Sequence, residues 1–228
     1  MKQFPLSMIA AFLSILLAMG CSSTPSSPGE DMTFTENNKD FIIDVTGKEW
    51  DVSYARDVYG MKSSKFQFGL GPYAIPPIFN PKMLSKGDPG YPTESDDFLV
   101  LGTKLNGDAR AYPLLIMSLA EIADDKFGDL HVAVAYWPLV DLAAVYSREI
   151  DGQVLILSSS GWTYENTFVL FDYETESLWY HLPGENGLTC IGGKYAGRKL
   201  EEFQSTKTRW NTWVRLNPGS KFLDATSY

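Results

Sequence analysis

The sequence predicts an α+β domain, mainly antiparallel β-sheet with a few short helices. Three observations lead there. From residue 131 onward, short strand-like runs follow one another with turn residues between them. An Asn106-Gly107 pair flanked by apolar runs marks a tight hairpin, because both residues accept the positive φ of a type I′ turn. Helical periodicity is confined to short windows.

The elements are expected in this order. Residues 41–45 form a strand, and 51–59 a short helix closed by Gly60. Residues 69–97 hold Pro76-Pro77, Asn80-Pro81, Asp88-Pro89-Gly90 and Pro92, and read as a long loop laid over the domain. Residues 98–102 and 109–112 are the hairpin arms. Pro113 then opens a helix over 114–124, with Leu115, Leu119 and Ile122 at helical spacing. Strands follow over 131–136, 142–147, 153–158, 168–173 and 177–181, parted by turns at Asp151-Gly152 and Glu174-Thr175-Glu176. A last helix over 206–216 carries Trp210 and Trp213 on one side and stops at Asn217-Pro218-Gly219.

The first residues differ from the rest. Lys2 precedes an apolar run over 6–19, which ends in Ala18-Met19-Gly20-Cys21. That is the layout of a secretory signal peptide over 1–20, with Cys21 becoming the lipidated N-terminus. Residues 21–40 begin with a Ser/Pro-rich stretch and read as a flexible tether, leaving 41–228 as a single globular domain. These features predict a bacterial lipoprotein anchored in the cell envelope. Ser22, rather than Asp, after Cys21 points to the outer membrane, facing periplasm or surface. The membrane is then a partner through the lipid. The formal net charge is −9, one unit more negative once Lys2 is removed, which excludes nucleic acid as a partner. Cys190 is the one thiol left, so no intramolecular disulfide is expected.

Several stretches carry a resemblance. They are Phe66-Gln67-Phe68-Gly69-Leu70-Gly71, Pro77-Ile78-Phe79-Asn80-Pro81-Lys82-Met83-Leu84 and Leu105-Asn106-Gly107-Asp108-Ala109-Arg110-Ala111-Tyr112-Pro113. The run over 132–146, Ser160-Gly161-Trp162 and Ser177-Leu178-Trp179 complete it. From about Phe41 to Leu223 the chain resembles the domain of unknown function 3179 family. The resemblance implies a family site built around a Cys or selenocysteine in a Tyr-Cys-Pro-Leu motif, with a second Cys after it and a His before a helical Glu. Here the corresponding residues are Trp137, followed by Pro138, then Val140 beside Asp141, and Ala120 before Glu121. The thiol or selenol and the imidazole are therefore replaced. Trp137 offers one N–H donor and an apolar face, and neither a nucleophile nor a metal ligand.

Read from the residues alone, Tyr136, Trp162, Tyr164, His181 and Cys190 are candidates for a ligand pocket among a crowd of aromatic side chains. Each also has an ordinary reading: Cys190 as a small buried hydrophobe, His181 as a packed strand residue, the aromatics as core. Asp141, Glu121 and Asp124-Asp125 could make a carboxylate site, but no metal-binding spacing accompanies them, and Asp124-Asp125 reads as a solvated helix end. No phosphate loop, paired-His zinc motif, calcium loop or nucleophile elbow occurs, so neither cofactor nor metal is expected. Two functions follow. One is a non-catalytic domain that binds an unknown small molecule or protein at a degenerate family site. The other is a thiol-redox or metal-dependent enzyme or electron carrier, with Cys190 and His181 as the surviving groups.

Overall fold

Alternating strands buried on both faces decide the architecture. In the strand Thr167–Asp172, Phe168 and Leu170 enter one apolar cluster, while Val169 and Phe171 enter another. In Leu130–Trp137, Ala133 and Ala135 face the first cluster, and Val132 and Val134 face a third. Val100 and Ala111 enter a fourth cluster, and their neighbours Leu101 and Tyr112 the third. A strand with apolar side chains on both faces must be covered on both. Each large side chain so buried contributes about 1.5–3 kcal/mol.

The result is a stack. The computed structural model describes residues 32–228. A three-stranded sheet (Thr33–Glu36, Lys39–Ile43, Glu49–Asp51) and the helix Ser53–Tyr59 cover one face of a six-stranded antiparallel sheet. That sheet runs in the order Lys199–Leu200, Leu188–Gly192, Leu178–Tyr180, Thr167–Asp172, Leu157–Tyr164, Phe66–Phe68. Its other face packs on a five-stranded sheet ordered Glu202–Phe203, Leu142–Ser147, Leu130–Trp137, Ile122–Phe127, Ile78–Phe79. A second five-stranded sheet follows, ordered Ser205–Arg209, Leu99–Leu105, Asp108–Pro113, Lys221–Leu223, Met83–Leu84, with the helix Leu114–Ala120 packed in the cluster between the two. The helix Trp210–Leu216 closes its outer face. Trp213 presses so closely on Gly102 that any side chain there would overlap the indole.

The α+β class, mainly sheet, holds. The pairing is antiparallel except where Ile78–Phe79 joins Ile122–Phe127 and Lys221–Leu223 joins Asp108–Pro113 in parallel. The Asn106-Gly107 hairpin forms with positive φ at both residues, and Gly60 caps the first helix in the left-handed conformation.

Four expectations are corrected. The tether does not extend to residue 40, because Thr33–Glu36 and Lys39–Ile43 pair as a hairpin. The helix expected to reach residue 124 ends at Ala120, and Ile122–Phe127 is a strand held by pairing on both sides. Asp124 and Asp125 are thus buried sheet residues rather than a solvated helix end. Residues 205–209 pair with Leu99–Leu105, so the last helix begins at Trp210. The signal peptide, Cys21 and residues 22–31 lie outside the described residues. Among the described residues no helix is long and apolar enough to cross a membrane.

Candidate functional site

Three irregularities meet at one place between the two central sheets. The first is Glu121. It follows the helix Leu114–Ala120 with φ 61° and ψ −41°, a conformation outside the usual regions for a side-chain-bearing residue. Such strain costs about 1–3 kcal/mol and persists only where surroundings impose it. Here both backbone groups are tied: its N–H donates to Met117 O (2.8 Å), and its carbonyl accepts from Tyr136 N (2.9 Å).

The second is a bulge. Ser159 pairs with Leu170 but Trp162 pairs with Val169, so Ser160 and Gly161 are extra residues in their strand. Ser160 Oγ donates to Val169 O (2.6 Å) and fixes the kink. Gly161 has φ 81°, and a Cβ there would overlap the Leu70 carbonyl. The third is the loop at 69–75. Gly69 N–H donates to Gly161 O (2.8 Å), and Ser158 Oγ donates to Ile75 O (3.3 Å), which lays the loop over the bulge.

These parts enclose a cavity of about 80 Å³, walled chiefly by Leu70, Ile75, Glu121, Trp137, Ser159 and Trp162. Trp137 stands at the end of its strand, stacked on Phe168 (5.5 Å, 12°), with its indole N–H donated to Asn166 O (2.8 Å). The Glu121 side chain is 7% exposed, and its Oε2 has no hydrogen-bond partner. Burial pushes the carboxyl above the ordinary carboxylate range, and the Ser159 hydroxyl pulls weakly the other way. Trp162 Nε1 is also unpartnered, although that ring packs edge-on to Phe68 in the neighbouring core.

The other residues singled out by sequence are dispersed. Ala120 packs under the helix beside Met117 and Ala123 and does not line the cavity. Pro138 and Asp141 belong to the exposed turn after Trp137, where Asp141 pairs with Lys207 and accepts from Tyr136 Oη (3.2 Å). The Lys207 ammonium holds the Asp141 carboxyl below its usual range. Tyr136 itself lines a separate apolar groove beside Leu114 and Phe222. Tyr164 packs on Phe66 and Tyr180. His181 Nδ1 lies 3.0 Å from Tyr146 Oη and 3.9 Å from Glu202. Cys190 is wholly buried, and desolvation pushes its thiol up to about 12. A thiol so placed is protonated at neutral pH and is a poor nucleophile. Among the described residues no three of His, Cys, Asp and Glu gather as a metal-binding group.

Glu121 itself was visible in the sequence as the acidic member of the family motif and as one of the carboxylates that could make a site. The roles of Ser159, Gly161 and the 69–75 loop were not foreseen. The one signal for them was Ser160-Gly161-Trp162, a glycine inside a strand-like run, which often marks a bulge.

Fold and cavity together define a class: a layered, mainly antiparallel α+β domain with a single buried carboxyl opening onto a small, largely apolar cavity. A family model described as protein of unknown function (DUF3179) matches residues 73–228. The chain belongs to this family. No curated protein and no solved structure matches it.

Proposed function

We propose that the chain is an envelope lipoprotein, anchored in the outer membrane through Cys21, whose folded domain binds a small ligand without chemistry at the Glu121 cavity. One observation carries the binding reading: a buried carboxyl oxygen without a hydrogen-bond partner, beside a cavity, in a backbone conformation that costs stability. Native interiors pair nearly all such atoms, and the exceptions call for an explanation. A ligand that supplies the missing partner is that explanation. The deeply buried Cys190 weighs against the thiol-redox alternative. The anchoring half of the proposal rests on the apolar run ending in Ala18-Met19-Gly20-Cys21.

Two measurements test it. Cell fractionation of the Cys21→Ser variant is expected to move the protein from the membrane to the soluble fraction, and unchanged membrane association would refute the anchor. For the cavity, Trp137→Ala and wild type are compared by ligand-observed NMR against a library of small polar fragments. Binders whose signals survive Trp137→Ala undiminished would place the binding elsewhere.

A further inference from the structure

The chain meets its buried carboxylates in different ways: Asp44 and Asp172 accept from neutral donors, among them Trp50 and Trp179, whereas Asp124 and Asp125 lie beside guanidinium groups. Asp125 receives Arg110 Nη1 (2.6 Å) and Tyr112 Oη (2.5 Å). Asp124 has Arg148 Nη1 at 3.4 Å and the Leu157 N–H at 3.2 Å on Oδ2; its Oδ1 is unpartnered like Glu121 Oε2, but Asp124 does not line the Glu121 cavity. Asp124 and Asp125 each have a guanidinium brought in by another strand or strand end. Glu121 has none. Among the described residues lining its cavity it is the one titratable side chain. The elements around it bring no counter-charge. The helix Leu114–Ala120 has no charged residue. The strand Leu157–Tyr164 contributes Ser159 and Thr163 to the cavity, and its Tyr164 lies in another cluster. In the covering loop, Tyr73 packs on Phe171 and Tyr173. On Leu130–Trp137, His131 pairs with Glu149 and Tyr136 with Asp141.

From this we infer that the Glu121 cavity receives a primary ammonium group on a short alkyl stem. The inference rests on the binding reading above and names its ligand. A cation supplies the charge that Arg110 and Arg148 supply elsewhere, and its N–H groups satisfy Oε2 and reach the Ser159 hydroxyl. The aromatic wall at Trp137 favours an organic cation, which is attracted to the face of an indole ring. A metal ion would need several oxygen or nitrogen ligands, and the cavity offers one carboxylate. The size agrees: about 80 Å³ holds more than a single water and admits an ammonium with a few carbons. The mouth reaches solvent at Leu70, which is 54% exposed, so a longer stem can project outward.

The sign of the pH dependence follows from the carboxyl. Ammonium binding requires Glu121 ionised, and burial holds it protonated above the ordinary carboxylate range. Affinity therefore rises with pH through and beyond that range, until the amine itself loses its proton near ~10.

The test uses the mature lipidated protein in detergent and isothermal titration calorimetry. The probes are ethylammonium chloride, ethanolamine hydrochloride, the neutral isostere ethanol, and sodium acetate, with sodium chloride as the ionic-strength control. The amines are expected to bind, more tightly at pH 8 than at pH 5, and Glu121→Gln is expected to weaken them at least about tenfold. Thermal unfolding of Glu121→Gln confirms that the variant is folded. Ethanol binding as tightly as ethylammonium, or an unchanged dissociation constant in Glu121→Gln, overturns the inference. Ethanol or acetate binding in place of the amines, with loss in Trp137→Ala, overturns the ligand class and leaves the cavity as a binding site. No heat from any probe at tens of millimolar, together with no fragment sensitive to Trp137→Ala, overturns both.

Discussion

Glu121 and Asp125 are near neighbours in sequence, both buried, one just before and one within the strand Ile122–Phe127, and they live in opposite circumstances. Asp125 accepts from Arg110, Tyr112 and the Lys126 backbone N–H, and Arg110 is shared with Asp108, which also meets Lys221. Arg110 moreover lies over the Phe127 ring at 4.0 Å. These contacts hold the Arg110 guanidinium more firmly charged than usual, and burial, together with the Asp125 carboxylate beside it, raises the Tyr112 hydroxyl well above its normal range. Nothing there is left over for a ligand. Glu121 is the reverse: strained backbone, one orphan oxygen, no cation, an adjoining cavity. The difference teaches that burial of a carboxyl alone does not mark a site. A completed set of partners marks structure, and an incomplete one beside empty space marks a place for something else.

The comparison breaks most visibly at Arg110. Arg110→Met removes one partner of a buried ion pair and leaves Asp125 without a counter-charge, while Asp108 keeps Lys221. Urea unfolding at neutral pH is expected to show a loss of about 3–5 kcal/mol. A loss under about 1 kcal/mol would mean that the Asp125 cluster is not structural in the sense argued.

Gly161→Ala comes next. It places a Cβ against the Leu70 carbonyl at a positive φ and is expected to cost about 2 kcal/mol. The damage should be local, with amide exchange faster in residues 69–75 than in the Arg110 hairpin. Uniform acceleration would separate the loop from the bulge.

A smaller effect sharpens the Glu121 side. Its folded-state carboxyl is raised above the ordinary 4.5, so the folded protein binds the proton more tightly than the unfolded chain. Its stabilising contribution is complete below that value and is lost as pH rises through the folded one. Glu121→Gln is therefore expected to be more stable than wild type at pH 8, by about 1 kcal/mol, and to lose that advantage toward pH 4. Equal pH profiles for the two proteins would contradict the carboxyl's isolation. Smallest in energy is the thiol. Cys190 should resist a water-soluble thiol reagent in the folded protein, whereas Trp137→Cys should add a thiol that labels without unfolding.

What the sequence revealed was local. The Asn106-Gly107 hairpin and the helix stopped by Gly60 are short-range patterns, and both formed. The helix after Pro113 was misjudged in length and face. Leu115 and Leu119, which suggested an apolar stripe, are exposed, and the buried residues are Leu114, Met117 and Ala120. Ile122–Phe127 becomes a strand because partners far away in sequence, Leu130–Trp137 and Ile78–Phe79, flank it. Long-range pairing likewise overrode the helical reading of Thr206 and Thr208. The misreading of Asp124 and Asp125 has the same origin, since their counter-charges, Arg148 and Arg110, arrive from other strands or strand ends. Glu121 was legible as a member of the family motif, but not as the centre of a cavity, because neither strain nor a missing partner is written in a one-dimensional pattern.

The strand Lys221–Leu223 has a consequence in time. It lies between Asp108–Pro113 and Met83–Leu84, and Lys221 bonds Asp108 across 113 residues of chain. Until it inserts, the outer edge of the Asp108–Pro113 hairpin arm and the Leu84 edge are unpaired, and Trp210 lacks the Phe222 ring it packs against. Closure over so long a loop is slow compared with hairpin formation. Docking of residues 221–223 is therefore expected to follow the first helices and hairpins, with one sheet open until then. An open edge recruits strands from other molecules. Such a protein would be most prone to aggregate in the interval before residues 221–223 dock, whatever the stability it reaches afterwards.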